Sequence, residues 1–331
     1  MLSRKSAEAV FDSREKIAKL LNIGTPENVV FTYNATYALN LAIKTVITEN
    51  CHVITSDIEH NSVIRPLEKL KKSIGIEYSV FDSNGDIRKN IITHIKKDTS
   101  CIISTLASNV TGKEIPLNIL SEIAESYGLK LIVDASQFIG YNKIDLSETP
   151  CDVLCAPGHK SLYGIQGCGF AVFRETKVKD SFIEGGSGTE SSSPFMPSTL
   201  PEAYEAGTLS TPAIVALGAG LDYLNSASFY SAISKVSSAS QEIKNFLQKH
   251  EEFILYPSFG SIIAFNHKGY TSENFASYLD CNGFCVRGGL HCAPSAHRKL
   301  GTINHGCVRI SLSCFNTEDD IKKLLSVLNK A

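Results

Sequence analysis

The chain has 331 residues, of which 43% are hydrophobic and 20% charged, and its formal net charge is −2. This composition is typical of a globular protein large enough to bury a full core, with one large domain and one smaller domain. Because the sequence has no long run of lysine and arginine, its charge pattern argues against a nucleic acid or an anionic membrane as a partner.

The first residues lead directly into a charged helical pattern, and no apolar stretch is long enough for a membrane span. We therefore expect a cytoplasmic protein. The ten cysteines are scattered through the chain without a Cys-x-x-Cys pair. We expect most of them to be reduced and buried, and we predict no metal site.

Helical and strand patterns alternate from the start of the chain. A helical periodicity over residues 6–21 is followed by a short apolar strand at 28–32 and by a second helical segment. The same alternation predicts further strands at 51–55, 76–80, 101–105, 131–134 and 153–155. Near-continuous apolar strands between helices predict an α/β fold with a mostly parallel sheet, whose sites lie beyond the carboxyl ends of the strands.

The middle of the chain separates two predicted domains. Residues 181–212 are rich in Gly, Ser, Thr and Pro, which predicts a long irregular loop, and residues 212–223 are predicted to form a connecting helix. We predict a large domain over residues 1–215 and a smaller α+β domain over residues 216–331.

A lysine and an aspartate mark a candidate cofactor site. Lys160 follows the strand at 153–155 within Ala-Pro-Gly-His-Lys-Ser, and Asp134 ends the preceding strand. A lysine on a tight turn can hold pyridoxal 5′-phosphate (PLP), and a carboxylate at a strand end can keep the pyridine nitrogen of PLP protonated. Each residue by itself is more often a solvated lysine or an ordinary strand-terminal aspartate.

Other polar residues near strand ends suit the same cofactor. Ala35 and Thr36 open a helix whose N-terminus could bind a phosphate, although a simple capping role also fits. His60 could lie on a cofactor ring, although a histidine in a loop is more often solvated. Asn109 and Gln137 could hydrogen-bond a phenolic oxygen, and both also fit turn or cap roles.

Two residues near the C-terminus suggest further chemistry. Cys292 lies in Arg-Gly-Gly-Leu-His-Cys-Ala, a glycine-bearing loop where a thiol can be an exposed nucleophile. We expect the other nine cysteines to be small buried apolar side chains. Arg309 lies inside an apolar strand, so we expect an anionic partner, either a protein carboxylate or a substrate carboxylate.

Taken together, these segments resemble the class V aminotransferase-fold family, and within it the cysteine desulfurases of the branch that includes SufS-like enzymes and selenocysteine lyases. The order and spacing of the matching stretches make the resemblance specific. They run over almost the whole chain, at residues 31–36, 59–61, 108–112, 133–137, 158–160, 205–208, 287–293 and 315–318.

The resemblance implies a PLP-dependent transferase of the aspartate aminotransferase-like fold (fold type I) that acts as a homodimer. Such an enzyme converts L-cysteine to L-alanine and leaves a persulfide on Cys292, for transfer to an acceptor protein in a pathway such as iron–sulfur cluster assembly. It also implies that His291 helps to lower the pKa of the Cys292 thiol.

The resemblance assigns a role to each candidate residue. Lys160 carries PLP, His60 stacks on its ring, Asp134 pairs with the pyridine nitrogen and Thr208 reaches the site of the partner subunit. The catalytic residues are then Lys160, Cys292 and His60; the cofactor-binding residues are Ala35, Thr36, His60, Asn109, Asp134, Gln137, His159, Lys160 and Thr208; and the substrate-binding residues are Asn109, Arg287 and Arg309.

Members of this family begin with a further segment of several tens of residues, so the resemblance predicts an N-terminally truncated chain or a misassigned start. Three alternatives remain open. The chain could be a selenocysteine lyase, another enzyme of the same fold, or a truncated PLP-fold protein without catalytic activity.

Overall fold

The computed structural model describes residues 2–178 and 180–331, which form two compact units. Unit 1 comprises Met1–Ser56, Ser62–Leu106 and Ile115–Leu224, and unit 2 comprises Asp57–Asn61, Ala107–Glu114 and Asn225–Ala331. The sequence-based boundary after residue 215 lies within the helix that ends unit 1, and it stays a prediction.

Unit 1 is built on a seven-stranded sheet with the order β1-β7-β6-β5-β4-β2-β3. β7 is antiparallel to both of its neighbours, β1 and β6, while the other neighbouring strands are parallel. The strands are β1 (Val29–Thr32), β2 (His52–Ser56), β3 (Glu77–Phe81), β4 (Thr99–Thr105), β5 (Lys130–Asp134), β6 (Val153–Pro157) and β7 (Gly169–Phe173).

Helices cover this sheet because its strands are apolar on both faces. β1, β2, β6 and β7 are buried at every position, as expected for strands between two helical layers. The helices of unit 1 are α1 (Leu2–Leu20), α2 (Ala35–Val46), α3 (Asn61–Ile74), α4 (Ile87–Ile92), α5 (Leu117–Tyr127) and α6 (Thr211–Leu224).

Most predicted elements of unit 1 are confirmed. The six predicted strands correspond to β1–β6 with shifts of no more than two residues at either end, and the connecting helix corresponds to α6. Residues 181–210 are irregular, as predicted. β7 was not predicted from the sequence.

In the described part of the chain, no helix combines the length and apolarity that a bilayer crossing requires.

Unit 2 is an α+β structure with its own core. Its three-stranded antiparallel sheet has the order β10-β9-β8, and Phe253, Phe265 and Phe275 pack edge to face beneath it. The elements of unit 2 are α7 (Ala227–Lys249), β8 (Phe253–Leu255), β9 (Ile262–His267), α8 (Ser272–Cys281), α9 (Pro294–Leu300), β10 (Val308–Ser311) and α10 (Glu318–Leu328).

A buried ion pair connects α1 to the irregular segment before α6. The Arg14 guanidinium donates two hydrogen bonds of 2.9 Å to the Glu205 carboxylate, and both side chains are less than 10% exposed. Glu205 also accepts the Phe31 N–H at 2.6 Å, and Arg14 lies over the Phe31 ring. The pair therefore joins α1, β1 and the segment around Glu205, which are far apart in sequence.

We expect Arg14→Met to destabilise the protein by about 3–5 kcal/mol, because the substitution leaves the Glu205 carboxylate buried without its cation. Urea unfolding of the purified protein measures this change. The control is Arg4→Met, which removes the exposed pair with Glu8 and should change the free energy of unfolding by less than about 1 kcal/mol. Equal unfolding midpoints for the two variants would contradict the structural role of the buried pair.

Candidate active site

Strand direction brings the candidate residues of unit 1 to one edge of the sheet. Since β7 is antiparallel to both β1 and β6, β1 and β6 run in the same direction, which is also that of β5. The carboxyl ends of these strands lie at Thr32, Asp134 and Pro157, and Gly169 at the start of β7 pairs with both Thr32 and Pro157. The edge therefore carries a carboxylate, a helix N-terminus and the turn that bears Lys160.

Asp134 is held at this edge as a buried carboxylate. It is 3% exposed at the end of β5, and its Oδ1 accepts the Ser136 N–H at 2.9 Å. On the neighbouring strand, burial and the Asp134 charge raise the pKa of the Cys155 thiol. Gln137 follows in the next turn and is half-buried. A buried carboxylate with few donors around it can accept a hydrogen bond from a protonated ring nitrogen.

Lys160 lies on a compact turn after β6. The Gly158 N–H donates to the Cys168 carbonyl at 2.9 Å, and the Gly164 N–H donates back to the Gly158 carbonyl at 2.8 Å. A Cβ at Gly220 would approach the backbone of this turn to 2.0 Å, so glycine is required where α6 packs on it. The backbone of the turn is thus fixed while the Lys160 side chain is exposed.

His159, next to Lys160, is also exposed in part, and its surroundings favour the neutral ring. Partial burial lowers its pKa, and the Lys160 charge lowers it further. A neutral ring suits a hydrogen bond to a phosphate or stacking on a ring more than it suits an ion pair.

The N-terminus of α2 carries the phosphate candidates. The Asn34 side chain caps the helix by accepting the Tyr37 N–H at 2.9 Å, and this cap leaves the N–H groups of Ala35 and Thr36 at the helix end. The Thr36 hydroxyl is 2.7 Å from the Ser62 hydroxyl. The capping interpretation is confirmed by Asn34, while phosphate binding by Ala35 and Thr36 stays a prediction that the remaining N–H donors of the helix end allow.

Gly169 allows α2 to begin this close to the sheet. A Cβ at Gly169 would lie 2.6 Å from the Asn34 carbonyl carbon and 2.9 Å from the Ala35 nitrogen. Contacts that short do not occur in proteins, so any larger residue would displace the start of the helix. Thr208 is exposed and lines a small open cleft with Thr32 and Gly167, all within unit 1.

Unit 2 contains the cysteine loop, which we define as residues 287–293. His291 and Cys292 both adopt left-handed backbone conformations, with φ of 50° and 56°. Consecutive non-glycine residues in this region are unusual, and such conformations cluster at functional sites. The Cys292 side chain is exposed.

Two short segments that belong to unit 2 contact the cysteine loop. The Asn61 N–H, next to half-buried His60, donates to the Cys292 carbonyl at 2.8 Å. The buried Asn109 side chain donates to the His291 carbonyl at 2.7 Å. The structure thus brings His60, Asn109 and Cys292 together within unit 2.

Arg309 joins the same group through Asn109. Its Nη1 donates to the Asn109 carbonyl at 2.7 Å, while its Nε is buried with no hydrogen-bond partner in the part of the chain that the structure describes. Burial and the nearby Arg287 charge lower the Arg309 pKa. Exposed Arg287 pairs with Arg309 through a β-bridge of backbone hydrogen bonds. An incompletely satisfied guanidinium beside a second cation is suited to bind an anion.

Two expectations are wrong. Burial, together with the Arg309 charge, lowers the pKa of His291 to about 3, so His291 is neutral and cannot supply the cation for the Cys292 thiol. Nine cysteines were expected to be buried as small apolar side chains. Seven of them are buried, but Cys281 and Cys285 are exposed like Cys292. All ten cysteines are free.

The sheet edge of unit 1 fits PLP. An exposed lysine amine, a buried carboxylate and a helix N-terminus with N–H groups left beside its cap are the groups that this cofactor requires for its carbonyl, its ring nitrogen and its phosphate. These features define the class of fold type I enzymes that bind PLP beyond the carboxyl ends of parallel strands.

Comparison with known proteins identifies the family within this class of enzymes. The family model described as "Aminotransferase class-V" matches residues 1–324, and the chain belongs to that family. The predicted family resemblance and fold class are therefore confirmed.

Similar proteins include a curated cysteine desulfurase of Salmonella agona, which is 28% identical over 99% of this chain and 84% of its own length. The solved structure of the cysteine desulfurase CsdA from Escherichia coli has a TM-score of 0.89 at 22% identity, over 99% of this chain and 84% of that one. The apo cysteine desulfurase of Thermococcus onnurineus has a TM-score of 0.84 at 23% identity, over 100% and 85% of the two chains.

We expect Gly169→Ala to weaken PLP retention, because the new Cβ displaces the first residues of α2, and to lower the free energy of unfolding by about 1–3 kcal/mol. The visible absorbance of lysine-bound PLP after dialysis and the thermal midpoint measure the two effects. Gly24→Ala is the matched control, since a Cβ there meets nothing within 4 Å. Equal retention by both variants would show that Gly169 does not position the phosphate site.

Proposed function

We propose that this chain is a PLP-dependent cysteine desulfurase that converts L-cysteine to L-alanine and leaves the sulfur as a persulfide on Cys292. The observation that carries the proposal is the exposed thiol of Cys292 on a loop held in a strained backbone conformation. The family of the chain and the named relatives support the same activity. A transaminase would have no use for a nucleophilic thiol at this position.

The residues of unit 1 hold the cofactor and move the proton. PLP, when bound, supplies an electron sink for the bonds at the substrate α-carbon. Lys160 Nζ would hold PLP covalently, and its free amine would take the α-proton of the substrate. Asp134 would keep the ring nitrogen protonated, and Gln137 would hydrogen-bond the phenolic oxygen. Ala35, Thr36 and His159 would hold the phosphate.

The residues of unit 2 act on the substrate and on sulfur. The Cys292 thiolate forms a bond to the substrate sulfur while the bond between that sulfur and the substrate β-carbon breaks. One cysteine and one protein thiol thus give one alanine and one persulfide. His60 and Asn109 keep the cofactor and substrate roles that the family resemblance implies. Arg309, supported by Arg287, is the candidate ligand of the substrate carboxylate.

We also propose that the enzyme is a homodimer. Thr208 is exposed in a segment of unit 1 without regular structure, where it can donate its hydroxyl to the phosphate bound by a second copy. The persulfide would then pass to a sulfur-acceptor protein that meets the exposed Cys292.

The test of the proposal is the turnover of L-cysteine by the PLP-loaded protein, with alanine and sulfide measured in the presence of a thiol reductant. We expect Cys292→Ala to lose at least about 100-fold in kcat while keeping the visible absorbance of lysine-bound PLP, since only the sulfur acceptor is removed. Lys160→Ala should lose both activity and that absorbance. Cys285→Ala, which removes another exposed thiol of unit 2, should be as active as the wild type.

The other outcomes identify the alternatives. Unchanged cysteine turnover by Cys292→Ala would exclude the persulfide role of this residue. If that variant loses cysteine turnover but keeps selenocysteine turnover, the protein is a selenocysteine lyase. A wild type that does not bind added PLP would be a non-catalytic member of the fold.

The Arg309 guanidinium gives a second prediction, because its Nη1 has a hydrogen-bond partner and its buried Nε has none among the described residues. We expect Arg309→Lys to raise the KM for L-cysteine about tenfold or more, because an ammonium cannot reproduce two parallel hydrogen bonds to a carboxylate, each worth about 1.5–3 kcal/mol. PLP absorbance should be retained. Arg298→Lys, at an exposed position on α9, is the control. A KM equal to that of the wild type would remove Arg309 from the substrate site.

A further inference from the structure

Three potential metal ligands lie close together in unit 2, at a place that the proposed function does not use. His291 belongs to the cysteine loop, His297 to α9, and Cys307 directly precedes β10. One ligand atom from each residue, a ring nitrogen or Sγ, lies within 4.8 Å of the other two. The three residues are only 3%, 0% and 0% exposed.

Each of the two imidazoles has one nitrogen with an oxygen partner and one without. His291 Nε2 is 2.9 Å from the Cys307 carbonyl, and His297 Nδ1 is 2.7 Å from the Thr302 hydroxyl. His291 Nδ1 and His297 Nε2 are buried and have no hydrogen-bond partner among the residues that the structure describes. A buried nitrogen without a partner is unfavourable.

This arrangement is typical of metal-binding histidines. A metal-bound imidazole usually donates its other N–H to a carbonyl or another oxygen, which orients the ring and leaves a lone pair on the metal side. Because a carbonyl can only accept, His291 Nε2 must carry the proton in that hydrogen bond, and Nδ1 then has the free lone pair.

The donor set selects the metal. Two imidazoles and one thiolate suit zinc, which takes four ligands and accepts both nitrogen and sulfur. We propose that His291, His297 and Cys307 bind one Zn²⁺ ion and thereby tie the cysteine loop to α9 and β10. In a tetrahedral site the ligand atoms are roughly 3.3–3.8 Å apart, so side-chain shifts of about 1 Å complete the site.

Zinc binding converts the buried Cys307 thiol into a thiolate, and the thiol proton leaves to solvent. Three protein ligands leave one coordination position for water. This inference does not depend on cysteine turnover, because the ligands differ from every residue to which a catalytic role is assigned above.

Zinc content of the PLP-loaded protein tests the proposal. After exposure to zinc and dialysis against a weak chelator, we expect about one zinc per chain in the wild type by elemental analysis. His297→Gln and Cys307→Ser should each reduce zinc affinity by at least about 100-fold, since loss of an outer partner alone costs 10–100-fold. Cobalt in place of zinc should show thiolate-to-metal absorption in the wild type and His297→Gln, and none in Cys307→Ser.

Matched variants separate this site from other ligands in the chain. Cys314→Ser, Cys292→Ala and His250→Gln should bind zinc like the wild type, and zinc should raise their thermal midpoints by the same amount as that of the wild type. A wild type that keeps no zinc would overturn the proposal, as would His297→Gln and Cys307→Ser variants that both keep as much zinc as the wild type. If one of these two variants does not fold, the other still decides between the outcomes.

Discussion

The reversed direction of β7 is the constraint on which the cofactor edge of unit 1 depends. β7 lies between β1 and β6 and is antiparallel to both, so β1 ends at the same edge as β5 and β6. If β1 paired directly with β6 in antiparallel fashion, α2 would begin at the opposite edge, away from Asp134 and Lys160. Gly169, the first residue of β7, leaves the space in which α2 begins at this edge.

Unit 2 positions its functional residues by a different means. Its sheet contributes Arg309, but the contacts to the cysteine loop come from two short segments that follow β2 and β4 in the sequence. Asn61 and Asn109 each donate to a carbonyl of the loop, and the Asn109 carbonyl accepts from Arg309. The two segments lie about 180 residues or more from Cys292 in the sequence. Substitutions in them nevertheless change the surroundings of Cys292.

The sequence was sufficient where a pattern repeats over several residues. Strands β1–β6 were predictable because their apolar runs are nearly continuous, and Asp134 could be placed because it ends such a run. β7 was missed since Gly169–Phe173 follows a glycine-rich turn and has no helix before it to continue the alternation.

Features that arise from tertiary packing had no local signal. Neither the left-handed backbone of His291 and Cys292 nor the burial of His291 follows from the loop sequence, which contains glycines that would have been expected to take such conformations. The sequence also gave no reason to connect His297 and Cys307 with His291, because the expected Cys-x-x-Cys spacing of a metal site is absent. Their proximity arises only when β10 pairs beside the loop.

The backbone of the cysteine loop determines how Cys292 can act. Left-handed conformations at His291 and Cys292 cost about 1–2 kcal/mol each, and they persist because the carbonyls of both residues accept hydrogen bonds from Asn109 and Asn61. The position of the Cys292 backbone is therefore determined by contacts on either side, and rotation about χ1 is the main freedom left to the thiol. Since His291 is neutral, the cations that accompany the cysteine loop are Arg287, which belongs to the loop, and Arg309, which pairs with it. Cys292 thus combines a backbone held by hydrogen bonds with an exposed side chain, which suits the proposed transfer of sulfur from one molecule to another.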